Sequence, residues 1–254
     1  MNTCKIIKRY LSVYTKGKYK YGETEYIDSS FDIRRTYLAG SLKEVVNLFG
    51  EQSVLIWTAM LLKKRVIVYG EDLVALLRVV RSIPIFVWHR QSWDQMRPYV
   101  NTSKLELEDL RKAGVYVAGF TKSIIKTQND LYDLFLDIGS GSAQIAEHAK
   151  GEEKVKNFVQ GRLIFFPADF FLTKYHKDLG NFLVSSAQSE EQNEQLIIKD
   201  LTNKTKEFIG KLEQLKVDIE GKRVVTLEAL QQRKLPPGMD LFLYGVAQAE
   251  KLTV

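Results

Sequence analysis

Residues 54–62 leave almost no polar face: Val54, Leu55, Ile56, Trp57, Ala59, Met60, Leu61 and Leu62 are all apolar. A helix that is hydrophobic on most sides belongs inside a protein. Lys63, Lys64 and Arg65 mark its exit, where cations meet the negative end of the helix dipole. Val66, Ile67, Val68 and Tyr69 follow without alternation, as in a strand covered on both faces, and Gly70 allows the turn. A buried helix feeding a buried strand predicts the middle of an α/β core.

The flanking segments carry patterns suited to covering layers. Residues 4–15 read as a helix with Ile6, Ile7, Tyr10, Leu11 and Tyr14 on one face, and residues 16–30 as a polar loop. Ser41 and Glu44 have capping-box spacing, Leu42, Val45, Val46 and Phe49 share a face, and Gly50 ends that helix. Residues 71–82 predict a helix with Leu73, Leu76, Leu77 and Val80 inward, stopped by Pro84. Residues 85–88 read as a strand and 89–99 as an irregular polar-aromatic loop. Ser103 and Glu106 form a second capping box for a helix that closes at Gly114, and 115–120 and 131–138 read as strands.

Past residue 139 the character changes. Residues 139–161 are small and polar, then lysine-rich. Residues 163–168 lack charge and suit an added edge strand. Residues 190–215 predict a long amphipathic helix carrying Ile197, Leu201, Phe208, Leu212 and Leu215, and 226–234 a short one. Pro236, Pro237 and Gly238 break the chain, and Asp240 is placed to cap a last helix through Leu252. The expected fold class is therefore α/β: a parallel or mixed sheet flanked by helices, followed by a helical C-terminal part. Residues 1–140 would form the α/β module with its N-terminal helix, and 141–254 the mainly helical part.

Composition narrows the chemistry. At 254 residues and 45% hydrophobic, the chain can bury a large core. A net charge of +6 admits nucleic acid or an anionic membrane as partner, but the basic residues are dispersed, except that Lys5, Lys8, Arg9, Lys16, Lys18 and Lys20 precede the first acid, Glu23. A basic, acid-poor start also suits a targeting leader, whereas its apolar face suits a packed helix. The single cysteine, Cys4, rules out an internal disulfide and a cysteine metal cluster. No apolar run approaches the roughly 20 residues that span a bilayer. His89, His148 and His176 lack metal-ligand spacing, and no Gly-x-Ser-x-Gly elbow is present. Gly139-Ser-Gly141-Ser, after a strand and ahead of a predicted helix at 143–150, imitates a phosphate-binding turn but lacks the third glycine and a Walker lysine; a linker is the plainer reading. No catalytic residue, cofactor or metal is expected.

The polar stretch with most recognition character contains Trp88, His89, Arg90 and Trp93, since Trp and Arg often anchor interfaces. The plainer alternative puts both indoles in the core and pairs Arg90 with an acid. Arg34 and Arg35, with Lys43, suit an acidic partner or a solvated face.

The segment LLKKRVIVY at 61–69 resembles the helix-to-strand unit of the central module of the DENN family. The match continues through FVWHRQSW at 86–93, RPYV at 97–100, GVYVAGF at 114–120 and DLYDLFLD at 130–137. Further likeness lies at 31–40, at 227–230 and at Pro236-Pro237. The resemblance covers most of the chain, as central and downstream modules; the family's upstream longin-like lobe finds no counterpart, and 161–172 looks inserted. It implies binding to a Rab GTPase and promotion of GDP/GTP exchange in endosomal trafficking, without covalent catalysis. An exchange factor works by binding the nucleotide-free GTPase better than the loaded one. The implied partner contacts are Arg34, Arg35, Trp88, His89, Arg90 and Trp93. A second implied role is a non-catalytic scaffold on coiled-coil subunits of a Commander-type endosomal recycling assembly. Either role places the chain in the cytoplasm, peripheral to endosomes, without nucleic acid or a transmembrane segment.

Overall fold

The computed structural model describes residues 18–21, 24–27, 40–90, 95–149, 155–159, 162–166, 174–219, 221–233, 235 and 238–253. Contacts separate the chain into residues 1–38 and 39–254. In the first unit, β1 (Lys18–Tyr21) and β2 (Thr24–Ile27) pair antiparallel with Tyr19 opposite Tyr26. This hairpin replaces the predicted loop: tyrosines alternating with charged residues, joined through only Gly22 and Glu23, carry the period of strands. The predicted helix at 4–15 lies outside the described residues.

The second unit is built around α1 (Leu42–Phe49), α2 (Ser53–Leu61) and β3 (Val66–Tyr69). All nine residues of α2 and all four of β3 are buried, as the absence of any polar face requires. The chain continues through α3 (Leu73–Ser82), β4 (Met96–Arg97), α4 (Lys104–Lys112), β5 (Val117–Phe120), β6 (Leu134–Asp137) and β7 (Ser142–Ile145). The strands form one sheet in the order β4-β5-β3-β6-β7. The first four run parallel and β7 returns antiparallel, so the sheet is mixed.

The remaining elements are β8 (Val155–Val159), β9 (Arg162–Phe166), α5 (Lys174–Gln188), α6 (Glu194–Glu213), β10 (Val217–Ile219), β11 (Lys222–Val224), α7 (Leu227–Gln231) and α8 (Met239–Ala249). The helices of this part cover the face of α2 turned from the sheet. Trp57 Nε1 donates to Thr205 Oγ1 at 3.0 Å, and its ring meets Phe208 edge-on. His176 is fully buried between Trp57 and Phe242, with ring centroids at 5.6 and 4.8 Å. Burial disfavours its charged form and lowers its pKa to about 3. Residues 39–254 pack as one compact unit, and we keep the division near residue 140 as a proposal about modules rather than about packing.

Several local expectations are corrected. Residues 83–87 form a 3₁₀ turn, not a strand, because Pro84 sits in its first turn, where a missing N–H costs nothing. In α3, Leu73 is 46% exposed while Val79 is buried, so the inward stripe is Leu76, Val79 and Val80. Residues 142–145 are strand rather than helix: β6 and β7 are a hairpin. Asp137 Oδ1 accepts from the Gly139 amide at 3.0 Å, and Gly141 takes φ +62°. No helix N-terminus follows Gly139-Ser-Gly141, which removes the phosphate-turn reading. Strand β9 pairs with β8, away from the five-stranded sheet. Asp240 lies inside the first turn of α8, and Gly238 occupies the cap with φ +74°. Helix α5 was not foreseen, because its buried positions include His176, Gly180 and Ser186, which blur the apolar period.

The capping boxes are half-formed. Ser41 Oγ accepts from the Glu44 amide at 3.1 Å, but Glu44 turns away to pair with Arg78 at 2.9 Å. Ser82 Oγ takes its place on the Ser41 amide at 2.9 Å, and Glu194, at the start of α6, accepts from the Leu42 amide and from Ser41 Oγ. This joins α6 to α1 through the positive end of a helix dipole.

Candidate functional site

Because β4, β5, β3 and β6 are parallel, their amino ends line one edge of the sheet and their carboxyl ends the other. At the amino edge Arg65 reaches Asp133: its amide donates to Oδ2 at 2.8 Å and Nη2 to Oδ1 at 2.9 Å. His148 Nε2 lies 3.1 Å from the same carboxylate. Burial by itself raises the Asp133 pKa, but the Arg65 and His148 bonds hold it below the usual range. Arg111 binds Asp130 at 2.7 Å and lowers that carboxyl as well.

The same edge holds Trp88, His89 and Arg90. They follow the 3₁₀ turn, which returns the chain to the end of α2. Arg90 Nη1 and Nη2 donate to the carbonyls of Met60 at 2.7 Å and Leu61 at 2.5 Å, while Nε donates to Glu250 Oε1 at 2.8 Å. The imidazole of His89 lies 3.2 Å from the same oxygen. The Glu250 carboxyl, raised by burial alone, is brought below its ordinary value by His89 and Arg90. Trp88 is half-buried against the core. Arg90 therefore ties the end of α8 to the end of α2 across 160 residues.

Those two helix ends share a further feature. Lys64 N donates to Ala59 O and Lys63 N to Met60 O; Leu252 N donates to Ala247 O and Lys251 N to Gln248 O. Both are Schellman closures, with a left-handed residue where glycine is usual. Here the residues are Lys63 at φ +52° and Lys251 at φ +58°, the two non-glycine residues with positive φ among the described residues. Such a conformation costs about 1 kcal/mol or more for a side-chain-bearing residue. Both line one open pocket of about 240 Å³, with Met60, Val87, Arg90 and Glu250.

The carboxyl edge differs. Lys126 Nζ sits 4.4 Å from the centroid of the Tyr69 ring and pairs with Asp137 at 2.8 Å. Lys126 offsets the burial of the Asp137 carboxyl and keeps its pKa low. The Tyr69 hydroxyl donates to Glu71 at 3.2 Å. This group covers the ends of β3 and β6, the position at which open α/β sheets commonly hold ligands. Around it, Leu73 and Val74 leave β3, Tyr99 and Leu105 follow β4, and Ile124 follows β5, all between 46% and 71% exposed. They are five of the eight large apolar side chains exposed among the described residues, and they share one edge. Singly exposed apolar residues need no explanation, whereas several that follow the carboxyl ends of neighbouring strands make this edge a candidate contact surface.

Of the six residues nominated from sequence, Arg34, Arg35 and Trp93 lie outside the described residues. Trp88, His89 and Arg90 come together at the amino edge, three residues before Trp93. The rim residues were missed because an isolated exposed leucine has no signature before the sheet edge is known. Among the described residues, no three metal-ligating side chains converge and no helix is long and apolar enough to cross a membrane.

The described residues thus hold a mixed α/β sheet with an apolar rim at its carboxyl edge and a helical cover. The family profile described as "SPA: Stabilization of polarity axis" matches residues 40–147. The chain is 44% identical over 251 residues to "DENN domain-containing protein 10" of Dictyostelium discoideum, covering 98% of this chain and 64% of that protein. It is 36% identical over 251 residues to the Homo sapiens protein of the same name, with 98% and 66% covered. A shorter match, 25% over 112 residues, joins 42% of this chain to 26% of "DENN domain-containing protein 11" of Xenopus laevis. The chain belongs to the DENN family. It spans slightly less than two thirds of the length of its full-coverage relatives.

Proposed function

We propose that this DENN module binds a Rab GTPase through the carboxyl rim of its sheet and promotes exchange of GDP for GTP in endosomal trafficking. The observation that carries the rim assignment is the gathering of Leu73, Val74, Tyr99, Leu105 and Ile124 at the carboxyl ends of β3, β4 and β5. Apolar side chains that dock on the switch segments of a nucleotide-free GTPase, and lose contact when nucleotide and magnesium return, give the differential affinity that exchange requires. Arg34, Arg35 and Trp93 belong to the same proposal as direct contacts. Trp88, His89 and Arg90 serve it by anchoring the chain just ahead of Trp93. No covalent chemistry is involved, and the site of action is the cytoplasmic face of endosomes.

The test is release of labelled GDP from a panel of Rab proteins, with the chain and with its Leu73→Lys/Ile124→Lys variant. Accelerated release from at least one Rab, lost in the variant, is the expected result. Acceleration equal in both proteins overturns the rim assignment. Absence of acceleration, with stable capture of coiled-coil subunits of an endosomal recycling assembly, assigns the chain to the scaffold role instead.

A further inference from the structure

A serine or threonine stands three residues before an acid at three places among the described residues: Ser41, Ser103 and Thr127. Ser41 is half-buried and donates to Glu194 at 2.9 Å. Thr127 donates to the Ile124 carbonyl at 2.8 Å, and its acid, Asp130, is held by Arg111. Ser103 differs. It is exposed at the start of α4, accepts from the Glu106 amide at a long 3.4 Å, and its hydroxyl proton meets no acceptor among the described residues. Glu106, Glu108 and Asp109 follow it, all exposed. Glu108 and Asp109 meet Lys104 and Lys112 only at 3.9 Å and in water, which neutralises little. Along the chain Ser103 lies between Tyr99 and Leu105, two of the five rim residues.

We propose that Ser103 is the phosphate acceptor of an acid-directed serine/threonine protein kinase, and that its phosphate switches the rim off. Ser103 Oγ attacks the γ-phosphorus of ATP. The new O–P bond forms as the bond to the β,γ-bridging oxygen breaks, ADP leaves, and the hydroxyl proton passes to the kinase's base. Three carboxylates closely C-terminal to the hydroxyl match a basic substrate groove, since kinases select substrates by charge pattern. A kinase cleft takes its substrate extended, and α4 resists opening little: Leu110 is its one fully buried residue. The product carries a charge of about −1.5 to −2 at pH 7. Leu105, 71% exposed, is two residues away. An apolar partner that covers it must strip water from the phosphate, which costs more than the apolar contact returns. The modification stands on Ser103 and its acids alone; its effect rests on the GTPase reading of the rim.

In the experiment the full chain is incubated with ATP and a purified acid-directed serine/threonine kinase, and phosphate is located by mass spectrometry. Phosphate is expected on Ser103, and Glu106→Gln/Glu108→Gln/Asp109→Asn slows its incorporation about tenfold. The phosphorylated chain then accelerates GDP release about tenfold less than the unmodified one. Ser103→Asn keeps a capping side chain and offers no hydroxyl, so kinase and ATP leave its acceleration unchanged. No phosphate on Ser103, incorporation indifferent to the three acids, or equal acceleration by phosphorylated and unmodified chain overturns the proposal. A chain that accelerates release from no Rab even before phosphorylation removes the switch together with the rim reading, while the phosphate on Ser103 still stands or falls by mass spectrometry.

Discussion

At the amino ends of its strands the sheet is closed by paired charges, Arg65 with Asp133, Arg111 with Asp130 and Arg90 with Glu250, whereas at the carboxyl ends Leu73, Val74, Tyr99, Leu105 and Ile124 face water. The residue types most often associated with function, Arg and His, are thus committed to holding elements together at the amino edge. Leucine, valine and isoleucine, the usual core residues, are left uncovered at the other. The contrast teaches that side-chain type is a weaker guide to a contact surface than the balance between what a side chain offers and what its surroundings already satisfy. The Arg90–Glu250 pair is also sheltered, with side chains 11% and 16% exposed, so its loss weighs more than that of a surface ion pair.

The largest way to break this contrast is Arg90→Ala. It leaves the Glu250 carboxylate with His89 alone and removes the Arg90 donors from the carbonyls of Met60 and Leu61, and the expected loss is about 3–5 kcal/mol by urea denaturation. Replacing both Arg90 and Glu250 with methionine is expected to recover much of that loss. A loss from Arg90→Ala below about 1 kcal/mol would mean that the amino edge is not a clamp.

Next in size is acid sensitivity. His176 is held near a pKa of about 3, so between that pH and the ordinary histidine value of about 6.5 the unfolded chain takes up a proton that the folded one refuses. Stability therefore falls with falling pH in that window, by about 1.4 kcal/mol per unit. The carboxylates Glu250 and Asp133, with lowered pKa values, contribute stability that is present above about pH 4 and lost only in stronger acid. His176→Phe is expected to flatten the curve between about pH 6.5 and 4 and to leave the acid limb intact. A curve unchanged by that substitution counts against a neutral buried imidazole.

Asp133→Asn removes the charge that Arg65 grips and is expected to cost about 2 kcal/mol in the same urea measurement. The smallest stability effect belongs to the rim. Leu73→Lys with Ile124→Lys is expected to change unfolding free energy by at most about 0.5 kcal/mol, because both side chains are already in water. The same variant carries the largest expected effect on GDP release. If it destabilises the protein as much as Asp133→Asn does, the two edges are not the opposites described above.

Short-range pattern alone determined α2, β3, α6 and the amino-terminal caps of α1 and α4. A stretch without a polar face, a β-branched run, a 3.6-residue stripe and a Ser-x-x-Glu spacing each act within a few residues of themselves. Family resemblance was likewise legible, since it rests on those same segments. The 3₁₀ turn at 83–87 and the β6–β7 hairpin misled because short apolar or small-residue runs suit more than one local conformation, and only pairing partners decide between them. Tertiary structure alone decided that Arg90 meets Glu250, that Glu194 caps α1, and that five scattered apolar residues share one sheet edge. Helix and strand periods are local properties of the chain, whereas a meeting of residues 160 positions apart depends on how whole layers stack, and no window of sequence contains both partners.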